Sequence, residues 1–177
     1  KSGPSERRKF LDIELSQMER LYLYQLTNYN KILVQRNNLL KQIRFQNNLI
    51  ETLEAWDIQL VKYGSEVIKY REKFIKHLGE VCQKIHNKLT GGKEKILLEY
   101  DRDVGYDSYL TELAKKRQKD LKYSTTTVGP HRDDISFIVN GIDIRKYGSQ
   151  GQQRTAALSL KLAQIQLMRE VMKESPI

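Results

Sequence analysis

Residues 20–43 read RLYLYQLTNYNKILVQRNNLLKQI, and Tyr22, Leu26, Tyr29, Leu33, Arg36, Leu40 and Ile43 recur there at alternating steps of four and three. Such spacing returns one stripe of a helix to the same side every two turns, so it predicts a heptad seam, interrupted once by the charge of Arg36. The pattern stops in the polar surroundings of residues 45–48. A second seam opens with Leu49, Leu53, Trp56 and Leu60 and resumes through Val67, Phe74, Leu78, Val81, Ile85 and Leu89, ahead of Gly91-Gly92. Two such helices joined by a short polar turn are expected to fold back on each other as an antiparallel, coiled-coil-like hairpin. A charge within the seam needs a carboxylate or backbone carbonyls beside it, which assigns Arg36 to register or packing and not to an open surface. Trp56, in the second seam, is assigned to the core.

Working outward, Pro4, Ser5 and Glu6 ahead of Phe10-Leu11 signal a helix start, with helical spacing toward Met18. Beyond the hairpin, residues 94–101 read as a short strand, residues 109–123 as a helix, and residues 125–128 and 135–139 as strands. Asn140-Gly141 predicts a hairpin turn into Ile142-Asp143-Ile144. From Ala156 to about Met172 a long helix is expected, with Leu158, Leu162, Ile165 and Met168 lining one face and Leu160, Ala163, Leu167 and Val171 widening it. The expected fold class is α+β: a long antiparallel helical hairpin on a small mixed core with a few strands and a C-terminal helix. Residues 1–92 form the helical arm with its N-terminal helix and residues 93–177 the small α+β portion, the two making one structural domain. The chain lacks an initiator Met and stops at Ser175-Pro176-Ile177, where an apolar strand could begin, so a fragment of a longer protein is expected.

Composition narrows the function classes. The 177 residues are 39% hydrophobic and 30% charged, with a mean hydropathy of -0.63, as long solvated helices would give. Lys and Arg total 31 against 22 Asp and Glu, a formal net charge of +9 that favours nucleic acid or another polyanion as partner. Cys82 is the single cysteine, so there is no internal disulfide and no cysteine metal spacing, and a cytoplasmic location is expected. No apolar run of membrane-spanning length and no secretory signal stand in the sequence.

Tyr147-Gly148-Ser149-Gln150-Gly151-Gln152-Gln153-Arg154-Thr155 is a polar, glycine-bearing loop that runs into the last helix. Ser149 followed by Gln152 fits a capping box and fixes a helix start near Gly151. The free N–H groups at that start, the helix dipole and the glycines at 148 and 151 suit a phosphate. The loop is also compatible with a plain capped helix start. A complete nucleotide-hydrolysing site would need a P-loop and an acidic strand end. Gly91-Gly92-Lys93 does not supply the first, since Asn87 stands at the first glycine position and Glu94 follows the lysine; Glu99 is followed by Tyr100, not by a second carboxylate. Gly129-Pro130-His131-Arg132-Asp133-Asp134 resembles a kinase catalytic loop superficially, but position 138 is Ile where that pattern needs Asn. Its alternative is a Gly-Pro turn with internally satisfied charges, and no metal site is expected there. Between Arg20 and Ile50 there is no acidic residue, and Arg20, Tyr24, Lys31, Gln35, Asn38 and Gln42 share the face opposite the seam, either as a phosphate-tracking stripe or as a solvated face.

Together these motifs resemble the RecF family of bacterial DNA replication and repair proteins, relatives of ABC-type and SMC-like ATPases. Residues 4–12, with Pro4, Arg7-Arg8 and Phe10-Leu11-Asp12, look like the family's P-x-x-R-R-x-F-L-D signature; Tyr29-Asn30-Lys31 and residues 35–40 resemble its arm motif. Residues 129–134 are similar to its G-P-H-R-D-D stretch, and residues 148–155 to its form of the ABC signature. Ser2 departs from the glycine usual before Gly-Pro, and Gln150 replaces a glycine of the common L-S-G-G-Q pattern. The resemblance implies a P-loop lobe before this segment and a Walker B strand, D-loop and switch region after it. It implies ATP and Mg2+ as cofactors of the intact protein, neither held by this segment alone, and no ATP hydrolysis by the segment in isolation. Further implications are a head-to-tail homodimer around ATP, double-stranded DNA and RecR as partners at gaps, and roles in repair, replication, recombination and the SOS response. Ser149, Gln150, Gly151 and Gln152 then stand where the signature loop meets the γ-phosphate held by the other subunit. Arg154, His131, Arg132, Asp133 and Asp134 are supporting positions, and Arg7, Arg8, Arg20 and Lys31 are the candidate DNA contacts. The competing reading is a non-catalytic helical hairpin that serves only to bind protein or DNA.

Overall fold

The computed structural model describes residues 3–174. Ser2 and Ser175-Pro176-Ile177, singled out above, lie outside the described residues. Helices α1 (Pro4–Met18), α2 (Arg20–Ile43) and α3 (Leu53–Leu89) precede strand β1 (Ile96–Asp101), and α4 (Tyr109–Lys115) and α5 (Arg117–Tyr123) follow it. Then come β2 (Asp134–Val139), β3 (Ile142–Asp143), the short α6 (Ile144–Tyr147) and α7 (Gln150–Glu174). The fold is therefore α+β and mainly helical, with three antiparallel strands in the order β1-β2-β3.

The chain divides into two compact units, each discontinuous in sequence. One comprises the residues up to Leu11, Arg71–Asp101 and Asp134 onward; the other comprises Asp12–Tyr70 and Arg102–Asp133. This grouping follows packing, whereas a division at residue 92 follows chain order.

In the unit containing Asp12–Tyr70, α2 and the first part of α3 form the expected antiparallel hairpin. The rings of Tyr22 and Tyr70 meet edge-on at 5.9 Å between centroids, those of Tyr24 and Tyr63 at 6.5 Å, and Arg36 Nε lies 2.7 Å from Asp57 Oδ1. Contact positions descend along α3 as they ascend along α2, which is the antiparallel register. At the hairpin's closed end Leu39, Leu40, Ile43 and Leu53 are buried together, with Leu49, Ile50, Trp56 and Leu121 packed on them. Trp56 thus joins a core, though it is only partly buried.

The segment 125–128 is not a strand. Thr126 N–H donates to Asn37 Oδ1 at 2.8 Å and Thr127 N–H to Asp120 Oδ1 at 3.0 Å, so side chains take the donors that a neighbouring strand would have used. The single helix expected over 109–123 is two, because Lys116, at φ -93 and ψ 4, leaves the helical conformation between them.

In the other unit, β1 pairs antiparallel with β2 from Ile96↔Val139 to Asp101↔Asp134, and Asn140-Gly141, at φ 50 and 80, turns β2 into β3. Positive φ at both positions is what a tight hairpin turn demands. Ile144, expected to extend that strand, instead starts α6, whose N-cap Asp143 accepts from Arg145 N–H.

The face buried by α7 agrees with the expected one at Ala163 and Leu167 but not along its leucine stripe. Ala156, Ser159, Ala163, Gln164 and Leu167 point inward, while Leu158, Leu162 and Ile165 are 50%, 38% and 42% exposed. Small residues let the helix backbone approach its neighbours closely, and His86 Nδ1 meets the buried Ser159 Oγ at 2.8 Å. That polar pair, invisible to a hydrophobic stripe, helps select the buried face.

Candidate functional site

The loop between α6 and α7 is fixed by its own side chains. Ser149 N–H donates to Gln152 Oε1 at 3.0 Å, and Gln152 N–H donates to Ser149 Oγ at 3.1 Å, the two halves of a capping box. Gln153 Nε2 donates to Ile144 O at 2.9 Å and ties α7 back to α6. No described residue accepts from the N–H of Gln150 or Gly151. Since the Ser149 hydroxyl oxygen is an acceptor in the box, its proton stays available. The helix start therefore presents two N–H groups and one O–H, all on exposed residues, to whatever approaches.

The two glycines have different reasons. A Cβ at Gly151 would meet nothing nearer than Ser149 Oγ at 3.9 Å, so the space there is open to a guest. A Cβ at Gly148 would stand 2.7 Å from both Cβ and O of Ile144. Gly148 is thus required by the close pass of the loop over α6. Arg154 is exposed and forms no ion pair among the described residues.

The Gly129–Asp134 stretch is split between the two units. Gly129 lies at φ 140, with the hydroxyls of Tyr29 and Tyr109 against the place a side chain would occupy, so only glycine fits. His131 Nε2 donates to Thr126 O at 2.8 Å, which leaves Nδ1 of the neutral ring to accept from Tyr29 O–H at 2.7 Å; Tyr109 O–H in turn donates to Tyr29 at 3.2 Å. Burial, and then the neighbouring Tyr29, push the Tyr109 phenol well above its ordinary value. Asp133 is buried and accepts from Asp103 N–H at 2.8 Å, while Asp103 accepts from Gly129 N–H at 3.0 Å. Arg132 is exposed.

Asp134 belongs to the unit of the Ser149 loop. Arg7 grips it with Nε at 2.6 Å and Nη2 at 2.9 Å, and Arg145 Nη1 lies 3.1 Å away. Burial pushes the Asp134 carboxyl up, but the Arg7 and Ile135 hydrogen bonds and the two guanidinium charges outweigh it and hold the group below its ordinary value. Arg145, absent from the sequence-based candidates, has all its N–H groups engaged, by Asp143, Asp134, Ile135 O and Ser136 Oγ. Asp143 ahead of a helical turn was the only local sign of it. Beside these residues lies a cavity of about 380 Å³ lined by Phe137, Ile144, Ala156 and Leu160 with Arg7 and Arg145.

Among the candidate DNA contacts, Arg20 and Lys31 are exposed on α2, as are Tyr24, Gln35, Asn38 and Gln42. Arg7 is committed to Asp134 and Arg8 is half-buried. Arg36 is fully buried, held by Asp57, Asp120 and Thr126 Oγ1, as the charge in the seam required. Among the described residues no group of His, Cys, Asp and Glu is arranged to hold a metal ion, and no helix is long and apolar enough to cross a membrane.

No family model matches the chain. It is 54% identical over 177 residues to the DNA replication and repair protein RecF of Lachnoclostridium phytofermentans, a match that covers 100% of this chain and 49% of that protein. The RecF of Acetivibrio thermocellus is 43% identical over 187 residues, with 51% of its length covered. A solved structure described as the recombination mediator protein RecF-ATP in the RecFOR pathway superposes with a TM-score of 0.93 at 37% identity, covering all of this chain and 50% of that one. The chain spans about half the length of the curated relatives it matches. With its whole length matched in sequence and in fold by RecF proteins, the chain belongs to the RecF family.

Proposed function

We propose that this chain is the arm-and-signature segment of a RecF-type DNA-repair ATPase. In the intact protein two ATP-bound subunits pair head to tail, and the loop of Ser149, Gln150, Gly151 and Gln152 in one meets the γ-phosphate held by the other. The observation that carries this reading is the closed capping box, which immobilises the loop yet leaves the Gln150 and Gly151 N–H groups and the Ser149 O–H without internal acceptors. Oriented backbone donors at a helix start suit a phosphate because their dipoles need no rearrangement when the charge arrives. A relative solved as RecF-ATP supports nucleotide binding by family proteins. Mg2+ and the residues that hold it belong to the P-loop side of the site.

Arg154, exposed beside the loop, has the reach to support the same phosphate, whereas His131 and Asp133 fix the Gly129 turn, and Arg132 stays open for a partner. Asp134 acts through Arg7 and Arg145. The dimer acts in the cytoplasm on double-stranded DNA at gaps, with RecR, to assist recombinase loading. Arg20 and Lys31 on the acid-free α2 are the leading phosphate contacts, since the charge of Arg7 is already neutralised.

Ser149→Arg in the intact protein tests the trans contact. ATP-dependent dimerisation, read by analytical ultracentrifugation, is expected to disappear with the melting temperature lowered only by the loss of the Ser149 cap, as in Ser149→Ala; dimerisation that persists would overturn the proposal. The isolated segment is expected to show no ATP turnover above a buffer blank.

A further inference from the structure

Phe45, in the turn that closes the α2–α3 hairpin, is 87% exposed, more than any other large apolar side chain among the described residues. Its neighbours behave oppositely: Leu39, Leu40, Ile43 and Leu53 are buried together under the turn, with Leu49 and Ile50 packed on them. The turn is not loose. Phe45 and Gln46 N–H both donate to Gln42 O, at 2.9 and 3.0 Å, and Leu49 N–H donates to Gln46 O at 3.1 Å. A ring is thus held out into water by a hydrogen-bonded turn seated on its own apolar cluster.

The chemistry around the ring selects its partner. Lys41 and Arg44 flank it and are exposed, together with the amides of Gln42, Gln46, Asn47 and Asn48, and no acidic residue lies between Arg20 and Ile50. An aromatic anchor for a protein surface typically sits in a well-packed patch that excludes water, whereas a lone, water-exposed ring with cations and amides beside it matches a base with its flanking phosphates. The interior of a duplex offers no free base face without unstacking, but an unpaired base does.

We propose that the hairpin turn is a nucleic-acid contact in which Phe45 stacks on an unpaired base while Lys41 and Arg44 take the flanking phosphates. This rests on the DNA-facing reading of the arm and adds to it a preference for single-stranded stretches next to a duplex.

The test uses the intact protein with two DNA probes of equal length, a gapped duplex carrying a fluorescent adenine analogue in the gap and a blunt duplex. Phe45→Ala is expected to weaken binding to the gapped probe about tenfold and to abolish the fluorescence change, with blunt-duplex affinity unchanged. Phe45→Trp is expected to restore both signals. Because Phe45 lies outside the core, the melting temperature of each variant should match the parent and serves as the folding control. Equal affinity of parent and Phe45→Ala for the gapped probe, or an equal loss on both probes, would overturn the stacking role alone. Failure of the parent to bind either probe would overturn the DNA-facing reading with it.

Discussion

Arg36 in one compact unit and Arg145 in the other are each held by two carboxylates, and the two clusters are built on opposite plans. Arg36 is fully buried and gathers partners from distant parts of the chain: Asp57, Asp120 and Thr126, which are 21, 84 and 90 residues away. Arg117 adds a second bond to Asp57 at 3.1 Å, so two arginines face two aspartates. Yet Arg36 Nη2 and Arg117 Nε find no acceptor among the described residues. Arg145, only partly buried, has every N–H satisfied, and its partners lie 2 to 11 residues away around a single strand turn. The comparison shows that the deeper site is not the better hydrogen-bonded one. Arg36 holds remote segments together by charge balance in a dry environment, where removing one member strands the others. Arg145 shapes a local turn that water can still reach.

The largest expected effect separates these plans. Arg36→Met leaves the buried Asp120 without its arginine and Asp57 with Arg117 alone, and should lower unfolding free energy by about 3–5 kcal/mol, read from denaturant midpoints at constant m. A loss as small as that of a surface pair would break the comparison. Asp134→Asn removes the shared partner of Arg7 and Arg145 from the shallower cluster and should cost about 2 kcal/mol by the same measurement.

That cluster should also show in acid. Asp134 and Asp143 are both held below the ordinary carboxylate value of 3.8, Asp143 chiefly by its hydrogen bonds from Arg145. A folded carboxyl with a lowered pKa contributes stability that is complete above its unfolded value and lost as pH falls through the folded one. Unfolding free energy should therefore decline as pH drops below about 3.8, and the paired substitution Asp134→Asn with Asp143→Asn should flatten that decline.

Smaller still is the cap. Ser149→Ala removes the hydroxyl half of the box and should destabilise by about 1 kcal/mol, visible as a shift in melting temperature. In contrast with Ser149→Arg, it adds no bulk, so any loss of ATP-dependent dimerisation beyond that shift reports the missing O–H. At the bottom of the scale, Lys115→Ala breaks an exposed 3.3 Å pair with Glu112 and should change stability by no more than about 0.5 kcal/mol.

The readable parts of the fold were those whose cause is local. The Ser149–Gln152 box closes within three residues, Asn140-Gly141 turns within two, and the α2 and α3 seams repeat within one helix, so spacing alone specified them. The open side of Gly151 is legible for the same reason, while the crowding at Gly148 is not, because it comes from Ile144 once α6 has formed. Residues 125–128 have strand-like composition, but Asn37, 89 residues from Thr126, takes the backbone donor. Nothing nearby in the chain announces such a partner. The buried side of α7 is legible only at Ala163 and Leu167, because a stripe of leucines says that a helix has an apolar face, not which neighbour reaches it first.

The sequence by itself determined the α+β class, the hairpin, the capped helix start and the need for Arg36 to find carboxylates, since each follows from periodicity, capping chemistry or the cost of an unpaired buried charge. Only the tertiary structure decided which aspartates answer Arg36, that His131 and Asp133 are spent on holding a turn, that Arg7 is paired with Asp134, and that Phe45 stands in water above its buried neighbours. Those outcomes depend on contacts between residues far apart in the chain, and on which surfaces remain uncovered after packing.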